Sequence, residues 1–283
     1  MKRLLALVLT LAVALTAAPA FAQDTLEKIK STGVLTIGTR TGSPPFAYVN
    51  KDNQWVGFSI DLVEMLVKPE VEKAVGKPIK VEKKESTPPT RIPLLSSNAV
   101  DLIAGTMTDT PQRRETVDFS LTFFYTGAQF MVKKGSPIKS VNDISGKRIA
   151  TQQGSTNEKI LREKYPQAQL RAFPDQPAAF QALLQGQVDA YTNDGIQLYG
   201  LKAKAPKPEE WDVVGDFYSE EPYGMAMRKG DAKFKAAVDA GLKNGLESGK
   251  YFEIYEKWFG PKGELPYPMT PQVKAYLMKQ VGK

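Results

Sequence analysis

Two threonines and an arginine follow an apolar run in the segment DLIAGTMTDTPQRRETVDFS, residues 101–120. The run Val100–Ala104 is typical of a strand, so Thr106, Thr108 and Arg113 are predicted at its carboxyl end, where open α/β sheets bind ligands. The arginine fork matches the two oxygens of a carboxylate, and the hydroxyls add further donors. This group of residues therefore predicts a site for a small carboxylate.

The chain contains no histidine and no cysteine. Their absence excludes Ser-His-Asp and Cys-His nucleophilic pairs, histidine acid–base catalysis and the usual zinc ligand sets. Neither a GxGxxG nor a GxxxxGK(S/T) loop occurs, which disfavours nucleotide chemistry. We therefore expect no catalytic residue, no metal and no cofactor.

The first 22 residues have the pattern of a cleavable secretory signal. Lys2 and Arg3 precede the apolar run Leu4–Ala18, and Ala20-Phe21-Ala22 is a small-x-small cleavage site. A chain without cysteine cannot be acylated at a cysteine after cleavage. We therefore expect a periplasmic protein that is not a lipoprotein.

The full chain carries a net charge of +7, which falls to about +5 once the two basic residues of the signal are removed. Basic and acidic residues alternate, as in Glu70–Lys84 and Asp231–Lys243. This mixture indicates a solvated surface that attracts anionic solutes. We expect no nucleic-acid partner.

Hydrophobic runs and breakers alternate with a βα rhythm, and the rhythm restarts after Phe130. The first set comprises strands at Val34–Gly38, Ile79–Glu82 and Val100–Ala104 and helices at Asp61–Val67 and Ile92–Leu95. The second comprises strands at Lys147–Thr151, Gln169–Ala172 and Val188–Thr192 and helices at Asn157–Lys164, Pro177–Gln185 and Ile196–Ala203. Such alternation predicts an α/β fold with parallel sheets and helices on both faces.

Two extended segments, Leu121–Gln129 and Ser219–Tyr223, flank the second set, and helices Phe234–Glu247 and Tyr251–Phe259 follow. Packing of these helices on the first set makes the second set an inserted lobe, with a cleft between the lobes. The predicted divisions are a signal at 1–22, lobe 1 at 23–122 plus 224–283, hinge strands at 123–127 and 219–223, and lobe 2 at 128–218.

Six motifs in order resemble the periplasmic solute-binding proteins of polar amino-acid ABC importers, family 3. They are TLEKI at 25–29, GVLTIG at 33–38, GFSID at 57–61, the segment 101–120, GST at 154–156 and YEKWFG at 255–260. The chain is most similar to glutamate/aspartate binders in GTR at 38–40, Pro45-Phe46, TRIPLL at 90–95 and Ser59. The resemblance implies a two-lobed type II periplasmic binding-protein fold with two hinge strands and an interlobe ligand cleft. It also implies a monomer that delivers an amino acid to an inner-membrane ABC permease.

The resemblance assigns the α-amino-acid site residue by residue. Arg113 and Thr108 match positions that hold the ligand α-carboxylate, with backbone N–H groups around Ser155 and Thr156 at a helix start. Asp194 matches the position that binds the α-ammonium group. A cap for the following helix is the alternative role of Asp194.

The resemblance assigns side-chain selectivity to Arg40 and Arg91, which match arginines that face the side-chain carboxylate of glutamate or aspartate. A neutral amide would leave their buried charge unpaired, so an acidic ligand is expected. Phe46 is predicted as an aromatic wall against the ligand methylenes.

Three positions depart from the glutamate/aspartate pattern. Gln176 replaces a histidine, Gln152 replaces a hydroxyl residue, and Pro88 replaces a serine. Gln176 also suits an amide, so glutamine, asparagine or another polar amino acid is the alternative ligand.

The alternative from another functional class is an enzyme, because this fold also hosts dehydratases of the cyclohexadienyl type. Only Glu85 and Lys84, near the Arg91 turn, are candidates for an acid or base. A sensor input that binds amino acids is a further alternative. Arg114 is predicted as a solvated helix residue and Asp61 as a helix-start residue, whereas Trp55, Trp211 and Trp258 are predicted to pack.

Overall fold

The computed structural model describes residues 24–283, and the predicted signal at 1–22 lies outside them. The strands are β1 (Val34–Thr39), β2 (Gly42–Ser43), β3 (Ala47–Val49), β4 (Trp55–Val56), β5 (Lys80–Glu85), β6 (Leu102–Ile103), β7 (Val117–Thr126), β8 (Ala128–Lys133), β9 (Arg148–Gln152), β10 (Gln169–Phe173), β11 (Ala190–Asp194), β12 (Trp211–Val214) and β13 (Glu221–Arg228).

The helices alternate with these strands in both halves of the described chain. They are α1 (Thr25–Thr32), α2 (Phe58–Leu62), α3 (Lys68–Val75), α4 (Arg91–Ser96), α5 (Pro111–Arg114), α6 (Thr156–Lys164), α7 (Gln176–Leu184), α8 (Gly195–Lys204), α9 (Ala232–Ser248), α10 (Lys250–Phe259) and α11 (Pro271–Lys279). One π-helical stretch, Val63–Val67, joins α2 to α3. Short 3₁₀ turns lie at Val141–Asp143 and Pro208–Glu210.

Two five-stranded sheets define the two lobes. The order in lobe 1 is β5-β1-β6-β13-β7, and the order in lobe 2 is β10-β9-β11-β8-β12. The predicted parallel pairing is found in β5-β1-β6 and β10-β9-β11, whereas β13 and β8 run antiparallel to their neighbours. The reason is topological: β8 and β13 are the strands by which the chain enters each lobe at a crossing, and they run opposite to the strands of the βα units. β7, by which the chain leaves lobe 1, runs in the same direction as β6 because both are antiparallel to β13.

The chain passes between the sheets twice, and the two crossings lie side by side. β7 ends at Thr126 and β8 begins at Ala128, while the return reaches Glu221 at the start of β13. Glu221 pairs with Thr126 in the antiparallel β7–β13 ladder. A small third sheet, β2-β3-β4, projects from lobe 1 and places Ser43 against lobe 2.

Each lobe has its own apolar core. In lobe 1 an aromatic cluster joins α2, β7 and α10, with ring centroids 4.9 Å apart for Phe46–Phe124 and 4.7 Å apart for Tyr255–Phe259. Such pairs each stabilise the fold by about 0.5–1.5 kcal/mol beyond the area that they bury. Tyr251, Tyr255 and Phe259 are buried in this core, and Phe252 packs against it partly buried. No helix among residues 24–283 is long and apolar enough to cross a membrane.

Candidate functional site

Polar side chains from both lobes surround one small cavity at the carboxyl ends of β1, β6, β9 and β11. Lobe 1 contributes Arg40, Pro88, Arg91, Thr106, Thr108 and Arg113, and lobe 2 contributes Gln152, Ser155, Thr156, Asn157, Asn193, Asp194 and Gln197. Every predicted ligand-binding residue is in this lining except Phe46 and Gln176. The site thus lies between two sheets at the edge where parallel strands end.

Arg113 is held by a one-turn helix at the mouth of the cavity. Thr110 caps α5 by accepting a hydrogen bond from the backbone N–H of Arg113 at 3.2 Å. The guanidinium donates to the Thr108 carbonyl at 2.7 Å and to the Gly154 carbonyl of lobe 2 at 3.5 Å. Two backbone oxygens therefore orient the guanidinium group, and no carboxylate among residues 24–283 forms an ion pair with it.

Arg40 and Arg91 are almost fully buried, with 7% and 5% of their surfaces exposed. Arg91 donates from Nη1 to the Thr106 carbonyl at 3.2 Å, and no group in residues 24–283 pairs with its buried Nε. With the amide oxygen of Gln152 facing it, Arg40 donates from Nη2 to that oxygen at 2.9 Å. Within the described part of the chain, both cations therefore donate only to neutral acceptors.

Arg91 lies close enough to both Arg113 and Arg40 for their positive charges to repel it. Burial, followed by the charges of Arg113 and Arg40, lowers the pKa of Arg91 well below its usual range. Burial also lowers the pKa of Arg40 and of Arg113. In residues 24–283 the arginines that form ion pairs are Arg114, Arg148, Arg162 and Arg228, and none of these lines the cavity. A ligand with more than one carboxylate would relieve this excess of buried positive charge.

Asp194 faces the cavity from the end of β11. It occupies the N-cap position of α8, yet its side chain makes no capping hydrogen bond. The carboxylate instead accepts from Asn157 Nδ2 at 2.9 Å, from Gln197 Nε2 at 3.1 Å and from the Tyr223 hydroxyl. Burial raises the pKa of Asp194, although these three donors oppose the rise.

The start of α6 completes the wall of lobe 2. Ser155 is the N-cap residue, and its hydroxyl accepts from the backbone N–H of Glu158 at 3.0 Å. The N–H groups and the positive end of the dipole at a helix start favour an anion. Ser155 and Thr156 line the same cavity as Arg113. Both lobes thus present donors at the same end of the site.

Gln176 is placed differently from the prediction of a direct ligand contact. It is fully buried at the start of α7 and does not line the cavity. Its side-chain oxygen accepts from Ser43 Oγ at 2.8 Å, and its backbone N–H donates to the oriented Gln152 oxygen at 2.7 Å. Gln176 therefore supports Gln152 from behind.

Phe46 also lies away from the predicted position. Its ring is fully buried in the core of lobe 1, with Phe58, Phe124, Tyr223 and Phe259 around it, and it is not in the cavity lining. The backbone N–H donates to Ser43 within the turn that contains Pro45, and this turn directs the ring inward. The prediction of an aromatic wall at Phe46 is therefore replaced by a core role.

Sequence reasoning missed several polar residues beside the cavity. Asn157, Asn193 and Gln197 line it, and the Tyr223 hydroxyl reaches Asp194. Glu221 lies just behind Thr108 and Thr156. The available signals in the sequence were the position of Asn193 next to Asp194 at the end of β11 and the single polar residue, Gln197, in the apolar start GIQLYGL of α8.

Residues given other roles lie outside the lining. Arg114 is exposed and pairs with Asp109, in agreement with its predicted solvation. Asp61 accepts from Lys257 Nζ and Trp258 Nε1, both at 2.7 Å, so it anchors α10 to α2. Glu85 and Lys84, the candidates for an enzyme, are exposed.

Two lobes joined by paired crossings, with charged groups from both around one cavity, define a two-lobed binding protein of the type II periplasmic fold. A profile of the bacterial extracellular solute-binding proteins, family 3, matches residues 35–261, and the chain belongs to this family.

Two of the similar proteins are named for the amino acids that they bind. The chain is 37% identical to an L-glutamate/L-aspartate-binding protein of Pseudomonas aeruginosa, covering 95% of this chain and 94% of that protein. It is 37% identical to an ABC transporter glutamine-binding protein of Bacillus subtilis, covering 83% and 85% respectively. Among solved structures, the ancestral amino acid-binding protein AncCDT-1, a precursor of cyclohexadienyl dehydratase, superimposes with a TM-score of 0.73 at 35% identity over 83% of this chain and 99% of that one.

Proposed function

We propose that this protein is the periplasmic substrate-binding component of an amino-acid ABC importer and that it binds L-glutamate or L-aspartate. The observation that carries the proposal is a group of three guanidinium groups, of the buried Arg40 and Arg91 and the partly buried Arg113, which face one cavity without an ion-pair partner in residues 24–283. A cavity with uncompensated buried cations favours a ligand that brings carboxylates.

The α-amino-acid part of the ligand would occupy the end of the cavity near Arg113. Its α-carboxylate would bind Arg113, Thr108 and the N–H groups at the start of α6, with Thr106 nearby. Its α-ammonium group would bind Asp194, whose Oδ1 accepts one hydrogen bond from Asn157 and keeps a free lone pair.

The side-chain carboxylate would bind Arg40 and Arg91 at the other end. The partnerless Nε of Arg91 supplies a donor for it, and Gln152 orients Arg40. A neutral amide in the same place would leave a buried guanidinium unpaired. We therefore expect the protein to bind glutamate and aspartate more tightly than glutamine and asparagine. The relative from P. aeruginosa supports this order, and the relative from B. subtilis makes glutamine the alternative.

Closure of the lobes would hold the ligand and create the surface that a permease recognises. Hydrogen bonds across the cleft join Ser43 to Gln176 at 2.8 Å and Thr106 to Gln197 at 3.3 Å. Lys204 of α8 also pairs with Glu264 of lobe 1. A ligand that bridges both walls stabilises this closed form by its differential affinity for it. We propose that the protein does this as a monomer, without catalysis, and that it bends at 123–127 and 219–223.

Thermal unfolding of the mature protein with each common amino acid tests the proposal. Ligand at about 100 times its dissociation constant adds about 2.7 kcal/mol to the free energy of unfolding, so stabilisation by glutamate and aspartate is expected. Stabilisation by glutamine without glutamate would contradict the role of Arg40 and Arg91. Incubation with prephenate or arogenate gives the enzyme alternative its own test, and product formation would overturn the non-catalytic proposal.

A further inference from the structure

Glu221 is a buried carboxyl at the point where the chain returns to lobe 1. It is 1% exposed, begins β13 and lies opposite Thr126, the last residue of β7. An acid at such a position is costly unless hydrogen bonds or charges compensate it. Its surroundings therefore indicate what it does.

One oxygen of Glu221 connects the two walls of the cavity. Oε2 accepts from the Thr108 hydroxyl of lobe 1 and from Thr156 Oγ1 of lobe 2 at 2.9 Å. Oε1 accepts from Ser219 Oγ at 2.7 Å. Because Thr108 and Thr156 both line the cavity, Glu221 lies directly behind the end proposed for the α-carboxylate.

The charged groups around Glu221 act in opposite directions. Burial, followed by the charge of Asp194 on β11, raises the pKa of Glu221 to about 7. Arg113 on α5 attracts the carboxylate, but it lies beyond ion-pair distance within the described chain. The phenols of Tyr218 and Tyr223 also face it, and burial raises the pKa of both, so they stay neutral.

Protonation of Glu221 does not require the bridge to break. Its three partners are hydroxyl groups, and each hydroxyl can donate or accept. The chain has no histidine, the side chain that usually titrates near neutral pH. Glu221 is thus placed to change charge without a change of contacts.

We propose that Glu221 is a proton-linked specificity residue, which takes up a proton as an anionic ligand enters and thereby favours acidic over neutral amino acids. This inference rests on the proposed function. The charges of the three arginines and Asp194 add up to +2, and an ionised Glu221 lowers this net charge to +1. Glutamate brings a net −1, which favours protonation of a neighbouring carboxyl, whereas glutamine brings no net charge.

Calorimetric titration of the mature wild-type protein at pH 7, in phosphate and in Tris, measures the proton uptake. We expect greater uptake with glutamate than with glutamine. We also expect the affinity for glutamate to fall by up to about tenfold from pH 6 to pH 8 if the ligand shifts the equilibrium by one pH unit. E221Q should remove both effects, and E220Q, an exposed neighbour, should retain them.

The outcomes separate this proposal from the proposed function. No glutamate binding by the wild type at any pH overturns the proposed function. Glutamate binding without proton uptake, or with an uptake that persists in E221Q, overturns only the role of Glu221. If E221Q does not fold, E221D is the second variant, because it keeps a carboxyl. The affinity of E221D for glutamate is then measured against pH. A midpoint at the same pH as in the wild type overturns the role of Glu221.

Discussion

The hydroxyl of Ser43 donates a hydrogen bond to Oε1 of Gln176, with 2.8 Å between the oxygens. Ser43 belongs to the small sheet of lobe 1, and Gln176 begins α7 of lobe 2. Both side chains are buried, so this bond closes the end of the cleft beyond Arg40 and Gln152. It exists only while the lobes are together.

Replacement of Ser43 should therefore weaken ligand binding without weakening either lobe. S43A leaves the buried Gln176 oxygen without its donor in the closed form, at a cost of about 1–3 kcal/mol. We expect glutamate affinity to fall roughly five- to hundredfold by calorimetry. S96A is the matched control, since Ser96 donates within its own helix. Equal affinities for S43A and S96A would contradict this role of the bond.

Arg113 and Arg114 are neighbours with different predicted effects. R113A should abolish binding of every amino acid, because loss of a buried charge partner costs about 2–5 kcal/mol. R114A should change affinity by less than threefold, since Arg114 is exposed and pairs with Asp109. Calorimetry with glutamate and glutamine checks both variants. A glutamine affinity that survives in R113A would show that the α-carboxylate binds elsewhere.

Arg91 should stabilise the complex while it destabilises the empty protein. R91M removes a buried cation that Arg113 and Arg40 repel, and such replacements often stabilise proteins by about 1–4 kcal/mol. We expect a higher urea midpoint without ligand and a loss of preference for glutamate over glutamine. R114M provides the exposed control. A lower urea midpoint with unchanged selectivity would place Arg91 in a purely structural role.

Gly200 of α8 packs on lobe 1. A Cβ at this position would lie well inside van der Waals contact of the Pro44 carbonyl oxygen. G200A should therefore hinder closure and lower ligand affinity, while the gain in helix propensity, about 1 kcal/mol, keeps lobe 2 stable. Calorimetry measures the affinity, and the radius of gyration with saturating ligand measures the closure. Unchanged affinity would show that the lobes accommodate the methyl group.

The stability of the empty protein should fall between pH 6 and pH 8. Burial and Asp194 raise the pKa of Glu221 from 4.5 to about 7 on folding, so the folded chain binds more protons in the interval between these values. The free energy of unfolding then decreases as pH rises through 7, by about 1 kcal/mol from pH 6 to pH 8. Urea unfolding should show this slope in the wild type but a smaller one in E221Q. An equal slope in both would assign the effect to other groups.

The sequence predicted the βα units and most of the cavity because these depend on local signals. Apolar runs marked β1, β9 and β11, and each ends in polar residues that face the cleft. The strands β2, β3 and β4 have only two or three residues each, too few for a periodic pattern. The sheet that positions Ser43 was therefore not predicted.

The remaining differences between the sequence predictions and the structure arise from long-range packing. In the sequence, Phe46 follows two prolines and lies close to Arg40. Only the fold shows that its ring packs against Phe124. Glu221 follows Glu220, and a pair of acids is typical of a solvated surface. Pairing of Glu221 with Thr126 across 95 residues buries it, and no local pattern encodes that partner.

The position of β13 between β6 and β7 sets an order of folding. The sheet of lobe 2 comes from one continuous stretch, Ala128–Val214, whereas lobe 1 needs β13 to join β7 to the rest of its sheet. β6 ends at Ile103, so in a chain that emerges from its N-terminus this strand has an open edge until β13 follows at Glu221. Open strand edges pair readily with other chains. The inserted lobe can thus complete its sheet first, and the early half of lobe 1 is the part of the chain that most needs protection until Arg228 has been made.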